Sequence, residues 1–151
     1  METRVVQTVD LVKDLLGFSF DSILGVGAEA ILLKGYMHGR EVVVKYRLKK
    51  KYRNEELDQI LRCERTVLEA RLLSKAALIN VNVPNIVFVY PEEGILVTTF
   101  IGGERLKEYM TGAEITILQG IFQKIGQEIG ILHEASIIHG DLTTSNIIPV
   151  S

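Results

Sequence analysis

Apolar residues at Val5, Val9, Val12, Leu15 and Leu16 recur at helical spacing, which predicts a short helix over residues 5–16 ended by Gly17. The pattern then changes to β-like runs at Phe18–Leu24, Ala30–Tyr36 and Glu41–Leu48. The second and third flank Met37-His38-Gly39-Arg40, a hairpin turn signal. The β-branched run Val42-Val43-Val44 predicts a strand buried on both faces. Over residues 55–77 the period lengthens again. Leu57, Ile60, Leu61, Val67, Leu68 and Leu72 form one stripe of a helix, with Glu69 on its flank beside Arg65. Ile86–Tyr90 and Ile95–Ile101 flank a second hairpin signal at Pro91-Glu92-Glu93-Gly94.

Gly102-Gly103 mark the best candidate boundary between two lobes, 1–101 and 102–151. Beyond it the pattern is helical. Thr111-Gly112-Ala113-Glu114 has the spacing of a capping box. The helix it opens is expected to bury Leu118, Ile121, Phe122, Ile125, Ile129 and Leu132. Gly120, Gly126 and Gly130 weaken that helix by about 1 kcal/mol each relative to Ala, and close helix packing is a reason for them. Residues 137–151 read as a loop and a short apolar strand.

Composition narrows the function classes. The 151 residues carry 17 basic and 19 acidic side chains, a net charge of −2, so any nucleic-acid contact must be local. A single cysteine, Cys63, excludes an intramolecular disulfide or a cysteine metal cluster and fits a reducing cytoplasm. The charged N-terminal stretch is not a signal peptide, and no apolar run reaches membrane-spanning length.

Three motifs carry candidate chemistry. Gly25-Val26-Gly27-Ala28-Glu29-Ala30 places two glycines between strands, where backbone can approach a phosphate. It is neither a Walker loop nor a dinucleotide fingerprint, because a strand follows it. It reads as a lid over a nucleotide, or as a plain glycine hairpin. Lys45, at the end of the valine run, lies one strand after this lid and can reach phosphates, with Glu69 as its partner. His139-Gly140-Asp141-Leu142-Thr143-Thr144-Ser145-Asn146 has the H-x-D-x-x-x-x-N spacing of a protein-kinase catalytic loop. There the aspartate orients the proton of an attacking hydroxyl or water, and the asparagine offers an uncharged oxygen to Mg²⁺. A fourth stretch, Lys45 to Arg53, has six cations and two tyrosines in nine residues. Lys49, Lys50, Lys51 and Arg53 are candidate tRNA contacts, against the alternative of a solvated loop leading into the acidic Glu55, Glu56 and Asp58. His133-Glu134 begins like a zinc-protease motif, but Ile137 stands where the second histidine is needed.

These motifs stand in kinase order, and the chain resembles the small atypical kinases of the KEOPS (EKC) complex. The resemblance rests on GAEA at 27–30, VVVKYRLKKKYRNEELD at 42–58, RTVLEARLL at 65–73 and HGDLTTSN at 139–146, and spans roughly residues 18–148. It implies an α+β, protein-kinase-like fold: a small antiparallel N-lobe sheet with an inserted helix, then a truncated helical C-lobe. It implies ATP and Mg²⁺ as cofactors and a serine/threonine kinase or ATPase activity supporting threonylcarbamoyladenosine formation on tRNA. Asp141 would be the catalytic residue and Asn146 the metal ligand. Gly25, Gly27, Ala28, Glu29, Lys45 and Glu69 would line the ATP site, with Thr98 and Phe100 at the hinge. Thr99 departs from the acidic residue common there. Implied partners are the threonylcarbamoyltransferase subunit, a small regulatory subunit and tRNA, with no membrane. The Lys45–Arg53 stretch argues against a RIO-type kinase.

Kinase folds place a second metal-binding aspartate, in Asp-Phe-Gly, after the asparagine. Here no Asp or Glu follows Asp141. The polypeptide as given is therefore expected to be catalytically crippled, or a fragment of an active protein, and to expose apolar surface on the helix at 114–135. Two other functions fit parts of the pattern: a non-catalytic kinase-fold scaffold binding partner subunits or tRNA, and a small-molecule phosphotransferase.

Overall fold

The computed structural model describes residues 2–150. The elements are α1 (Glu2–Leu16), β1 (Ser19–Val26), β2 (Ala30–Met37), β3 (Arg40–Arg47), α2 (Glu55–Leu78), β4 (Ile86–Tyr90), a 3₁₀ turn (Pro91–Glu93), β5 (Ile95–Thr99), α3 (Leu106–Tyr109) and α4 (Ile115–Glu134). The chain divides into two compact units, Met1–Ser74 with Pro84–Phe100, and Lys75–Val83 with Ile101–Ser151.

The first unit is built on a five-stranded antiparallel sheet in the order β1-β2-β3-β5-β4. The β2–β3 turn is the two-residue kind the sequence predicts. His38 and Gly39 both take positive φ, 50° and 76°, and this twist matches that of the strands they join. Period-2 alternation sends Ile31 and Leu33 of β2, Val42, Val44 and Tyr46 of β3, and Ile95 and Val97 of β5 into one core. Val5, Val9 and Val12 of α1 join the same core, as their spacing predicts, whereas Leu15 is exposed. Burial pushes the Tyr46 phenol above its usual range. Val43 is only half-buried, so β3 has one fully covered face, not two. Gly35 is required by crowding: a Cβ there would collide with the Ser19 carbonyl and the Phe18 ring.

The apolar stripe expected on α2 is not the buried one. Leu57, Ile60, Leu68 and Leu72 are exposed, and Leu61 and Val67 are half-buried. The buried line is Asp58, Arg62, Thr66 and Ala76. Polar groups on that face find partners, which removes the usual penalty for burying them. Arg62 Nε donates to Asp58 Oδ2 at 3.0 Å, Arg62 Nη1 to the Glu93 carbonyl at 3.0 Å, and Thr66 Oγ1 to the Arg62 carbonyl at 2.7 Å. Asn54 caps the helix, its Oδ1 accepting from the Glu56 and Leu57 N–H groups at 2.9 and 3.3 Å.

In the second unit α3 buries Leu106 completely, and the Leu106 N–H donates to the Ile147 carbonyl at 2.7 Å. The capping box does not form. Glu114 is itself the residue before the helix, with extended backbone, and Thr111 makes no cap bond to it. None of α4 is fully buried. Leu118, Ile121, Ile125, Ile129 and Leu132 are half-buried, and Phe122 is exposed together with Ile115, Ile117 and Ile131. Gly120, Gly126 and Gly130 face open space, so close packing within this chain does not account for them. No strand forms among residues 137–150; that segment is held by single bonds such as Lys107 N–H to the Thr144 carbonyl at 3.1 Å.

Candidate phosphate-binding and catalytic-loop residues

In the first unit the β1–β2 hairpin carries Gly25 to Ala30 at its tip, closed by a bond from the Gly27 N–H to the Ala30 carbonyl at 2.9 Å. The tip is tied to its surroundings. The Leu48 N–H donates to the Glu29 carbonyl at 3.0 Å, and Lys50 Nζ donates to the Ala28 carbonyl. The Glu29 carboxylate pairs with Lys50 at 3.2 Å and Arg65 at 3.1 Å. The hydrogen bond from Lys50, with the charges of Arg53 and Arg65 adding to it, lowers the Glu29 pKa below the usual glutamate range. Glu29, although half-exposed, is therefore a latch on the hairpin.

Lys45 and Glu69 meet across 24 positions. Lys45 Nζ donates to both carboxylate oxygens, at 2.8 and 2.9 Å. Arg47, unforeseen in the sequence reading, donates from Nη2 to Glu69 Oε2 at 2.5 Å. The signal for it was present: Lys45 and Arg47 are two apart on one strand and so project to one side. Thr98 pairs with Val43 and Ile86 within the sheet and is half-buried. Beside it, Thr99 Oγ1 accepts from the Asn85 N–H at 3.0 Å. The Phe100 N–H donates to the Glu41 carbonyl at 3.1 Å, and Lys34 Nζ sits 4.3 Å from the centre of the Phe100 ring. The Glu41 carboxylate holds the Lys34 ammonium above its usual range.

Of the four basic-loop candidates, two are committed internally: Lys50 to Glu29 and Arg53 to Asp58, at 3.5 Å. Lys49 and Lys51 are exposed, as is Tyr52.

In the second unit Asp141 and Asn146 are in contact. Asn146 Nδ2 donates to the Asp141 carbonyl at 2.8 Å and to its Oδ2 at 3.1 Å. The Asp141 N–H donates to His139 Nδ1 at 3.2 Å, so His139 braces the loop. Gly140 has φ of +76°, where a side chain is strained, and this accounts for glycine in place of the arginine usual in kinases. With its amide N–H groups turned to Asp141, Asn146 has its Oδ1 available to a cation. That donor set suits part of a Mg²⁺ shell, which takes one or two protein oxygens beside phosphate and water. No cluster of three or more His, Cys, Asp or Glu occurs among the described residues. No helix among them is long and apolar enough to cross a membrane.

A glycine hairpin, a strand-end lysine, a helix glutamate bound to that lysine, and an Asp–Asn loop are accompanied by a match over residues 28–150 to the RIO domain model. The chain belongs to the RIO domain family. The Lys45–Arg53 stretch, expected to set it apart from RIO-type kinases, lies inside the matched region and does not do so. Within the family this RIO domain is similar to KEOPS complex subunit Bud32 of Pyrococcus abyssi, at 47% identity over 108 residues, 72% of this chain and 49% of the relative. It is 35% identical to EKC/KEOPS complex subunit BUD32 of Yarrowia lipolytica, covering 84% of this chain and 61% of the relative. It is 41% identical to a probable bifunctional tRNA threonylcarbamoyladenosine biosynthesis protein of Methanothermobacter thermautotrophicus, covering 83% of this chain and 22% of that protein. The chain thus spans about half the length of the first of these relatives. Among solved structures, the Rio2 kinase of Chaetomium thermophilum in its ADP/Mg²⁺-phosphoaspartate complex matches with a TM-score of 0.74 at 17% identity, over 95% of this chain and 44% of that one. The fold is the α+β kinase-like one implied by the sequence.

Proposed function

We propose that this RIO domain is the nucleotide-handling part of an atypical serine/threonine kinase or ATPase subunit that supports threonylcarbamoyladenosine formation on tRNA. The observation that carries the reading is the two-pronged Lys45–Glu69 pair, which holds the ammonium extended as a point charge for phosphates. Gly25, Gly27 and Ala28 offer backbone at the hairpin tip, and Thr98 and Phe100 are assigned to the adenine end. Asp141 orients the proton of the attacking hydroxyl or water, and Asn146 Oδ1 is the neutral ligand for Mg²⁺. When bound, Mg²⁺ neutralises charge on the transferring phosphate. The two lobes are residues 1–101 and 102–151. Relatives named as KEOPS subunits, and a bifunctional protein of which this chain matches 22%, support partnership with the tRNA-modifying subunit and the small regulatory subunit. Lys49 and Lys51 are the basic-loop cations best placed for tRNA.

The test is calorimetric titration of Mg-ATP into the parent and Lys45→Ala chains. Binding that weakens about tenfold or more in the variant supports the reading; equal binding removes it. The alternative, a kinase-fold scaffold, requires partner-subunit binding to survive both Lys45→Ala and Asp141→Asn.

A further inference from the structure

One carboxylate in the first unit serves two cations. Lys45 and Arg47 leave the same face of β3, and both reach Glu69. Arg47 is the more enclosed, with its side chain 15% exposed against 32% for Lys45. Its backbone is fixed at the end of the strand, where its N–H donates to the Gly94 carbonyl at 2.9 Å. Its Cβ lies so near Gly94 that a Cβ on that glycine would stand 3.2 Å away. Arg47 Nη2 also lies 3.5 Å from the Arg65 carbonyl, one helical turn before Glu69. The Arg47 side chain is thus fixed at its backbone and, through Nη2, at its tip, whereas the ammonium of Lys45 is held by Glu69 alone among the interactions described.

A Lys–Glu pair by itself is neutral. A phosphate approaching it must draw the ammonium from its only counter-ion and leave a half-buried carboxylate unpaired, which is costly. With a second cation on the same carboxylate the cluster is positive before any ligand arrives, and Glu69 keeps a partner whatever Lys45 does.

We propose that Arg47 is a positioning residue for nucleotide: it serves as the standing counter-ion of Glu69, so that Lys45 engages phosphate without leaving that carboxylate unpaired. The inference rests on the reading of Lys45 as the phosphate ligand. It goes further in making the effect of Arg47 conditional on Lys45. Simple long-range attraction of phosphate by Arg47 would not depend on Lys45, and neither would a purely structural role.

The test is a double-mutant cycle on the full chain, with affinity for a fluorescent ATP analogue plus Mg²⁺ as the readout and melting temperature measured beside it. Arg47→Met is expected to weaken binding about fivefold in the parent and by less than about twofold in the Lys45→Ala background. Arg47→Lys, which keeps the charge, is expected to bind within about twofold of the parent, and it serves as the working variant if Arg47→Met does not fold. Equal losses in both backgrounds, or an Arg47→Lys chain that folds and binds fivefold or more weakly, would overturn the inference. If Lys45→Ala alone leaves affinity unchanged, the phosphate reading itself fails, and the inference with it.

Discussion

Asp58 and Arg62, one turn apart on α2, form a salt bridge at 3.0 Å with side chains 5% and 7% exposed. Each also has a further partner: Asp58 accepts from Lys50 N–H and pairs with Arg53, and Arg62 reaches the Glu93 carbonyl. This pair joins α2 to the β4–β5 turn. Removing Arg62 takes the nearest ion partner from buried Asp58, which keeps only Arg53 and the Lys50 N–H, and frees the Glu93 carbonyl, so Arg62→Ala is expected to lower unfolding free energy by about 1.5–3 kcal/mol. Replacing Asp58 and Arg62 together by apolar residues should recover much of that loss. Urea denaturation of the single and double variants checks both statements.

Glu69→Gln removes the shared counter-ion of Lys45 and Arg47 without changing side-chain size. The pair is about one-third exposed, so the stability loss is expected to be modest, about 1 kcal/mol or less. Nucleotide affinity should fall much more, about fivefold to tenfold, because the ammonium is no longer held extended. A variant that loses stability but keeps its affinity would show that the pair serves folding alone.

The Glu29 latch predicts an acid limit. Its folded pKa is depressed, so its contribution is present above the ordinary glutamate range and is lost as pH falls through the lower, folded value. Thermal stability of the parent should therefore decline toward acid more steeply than that of Glu29→Gln. Parallel melting curves of the two chains across the acid range decide it, and superimposable pH profiles would count against the latch.

Gly35 and the three glycines of α4 should respond in opposite directions. Gly35→Ala drives a Cβ into the Ser19 carbonyl and the Phe18 ring, and is expected to cost about 1–3 kcal/mol or more. Gly120→Ala, Gly126→Ala and Gly130→Ala meet nothing within 4 Å, and each is expected to stabilise α4 by up to about 1 kcal/mol. Helicity by circular dichroism and melting temperature are the readouts. A loss at the α4 positions would mean that another molecule packs on those glycines.

Local periodicity made most of the sheet legible. β-like runs in β2, β3 and β5 identified the strands, and the His38-Gly39 and Pro91–Gly94 segments identified the turns, because both signals depend on neighbours in sequence. The Asp141–Asn146 contact was legible for the same reason: five positions of loop bring the two together. The α2 stripe was misread because burial depends on what a face meets. Asp58, Arg62 and Thr66 are buried with partners in the helix itself, in the loop before it and at the Glu93 carbonyl, while Leu57, Ile60, Leu68 and Leu72 stay exposed.

The sequence by itself determined the order of elements, the glycine hairpin, the strand-end lysine and the loop that places Asp141 beside Asn146. Each follows from backbone preference or short-range spacing. Only the tertiary structure decided that Glu69 is shared between Lys45 and Arg47, that Glu29 is drawn to Arg65 and Lys50, and that α2 turns its charged side inward. The first two outcomes depend on charges more than 20 positions apart in sequence finding one another across the sheet, helix and hairpin, and the third on Arg62 meeting the Glu93 carbonyl 31 positions away, which no local pattern encodes.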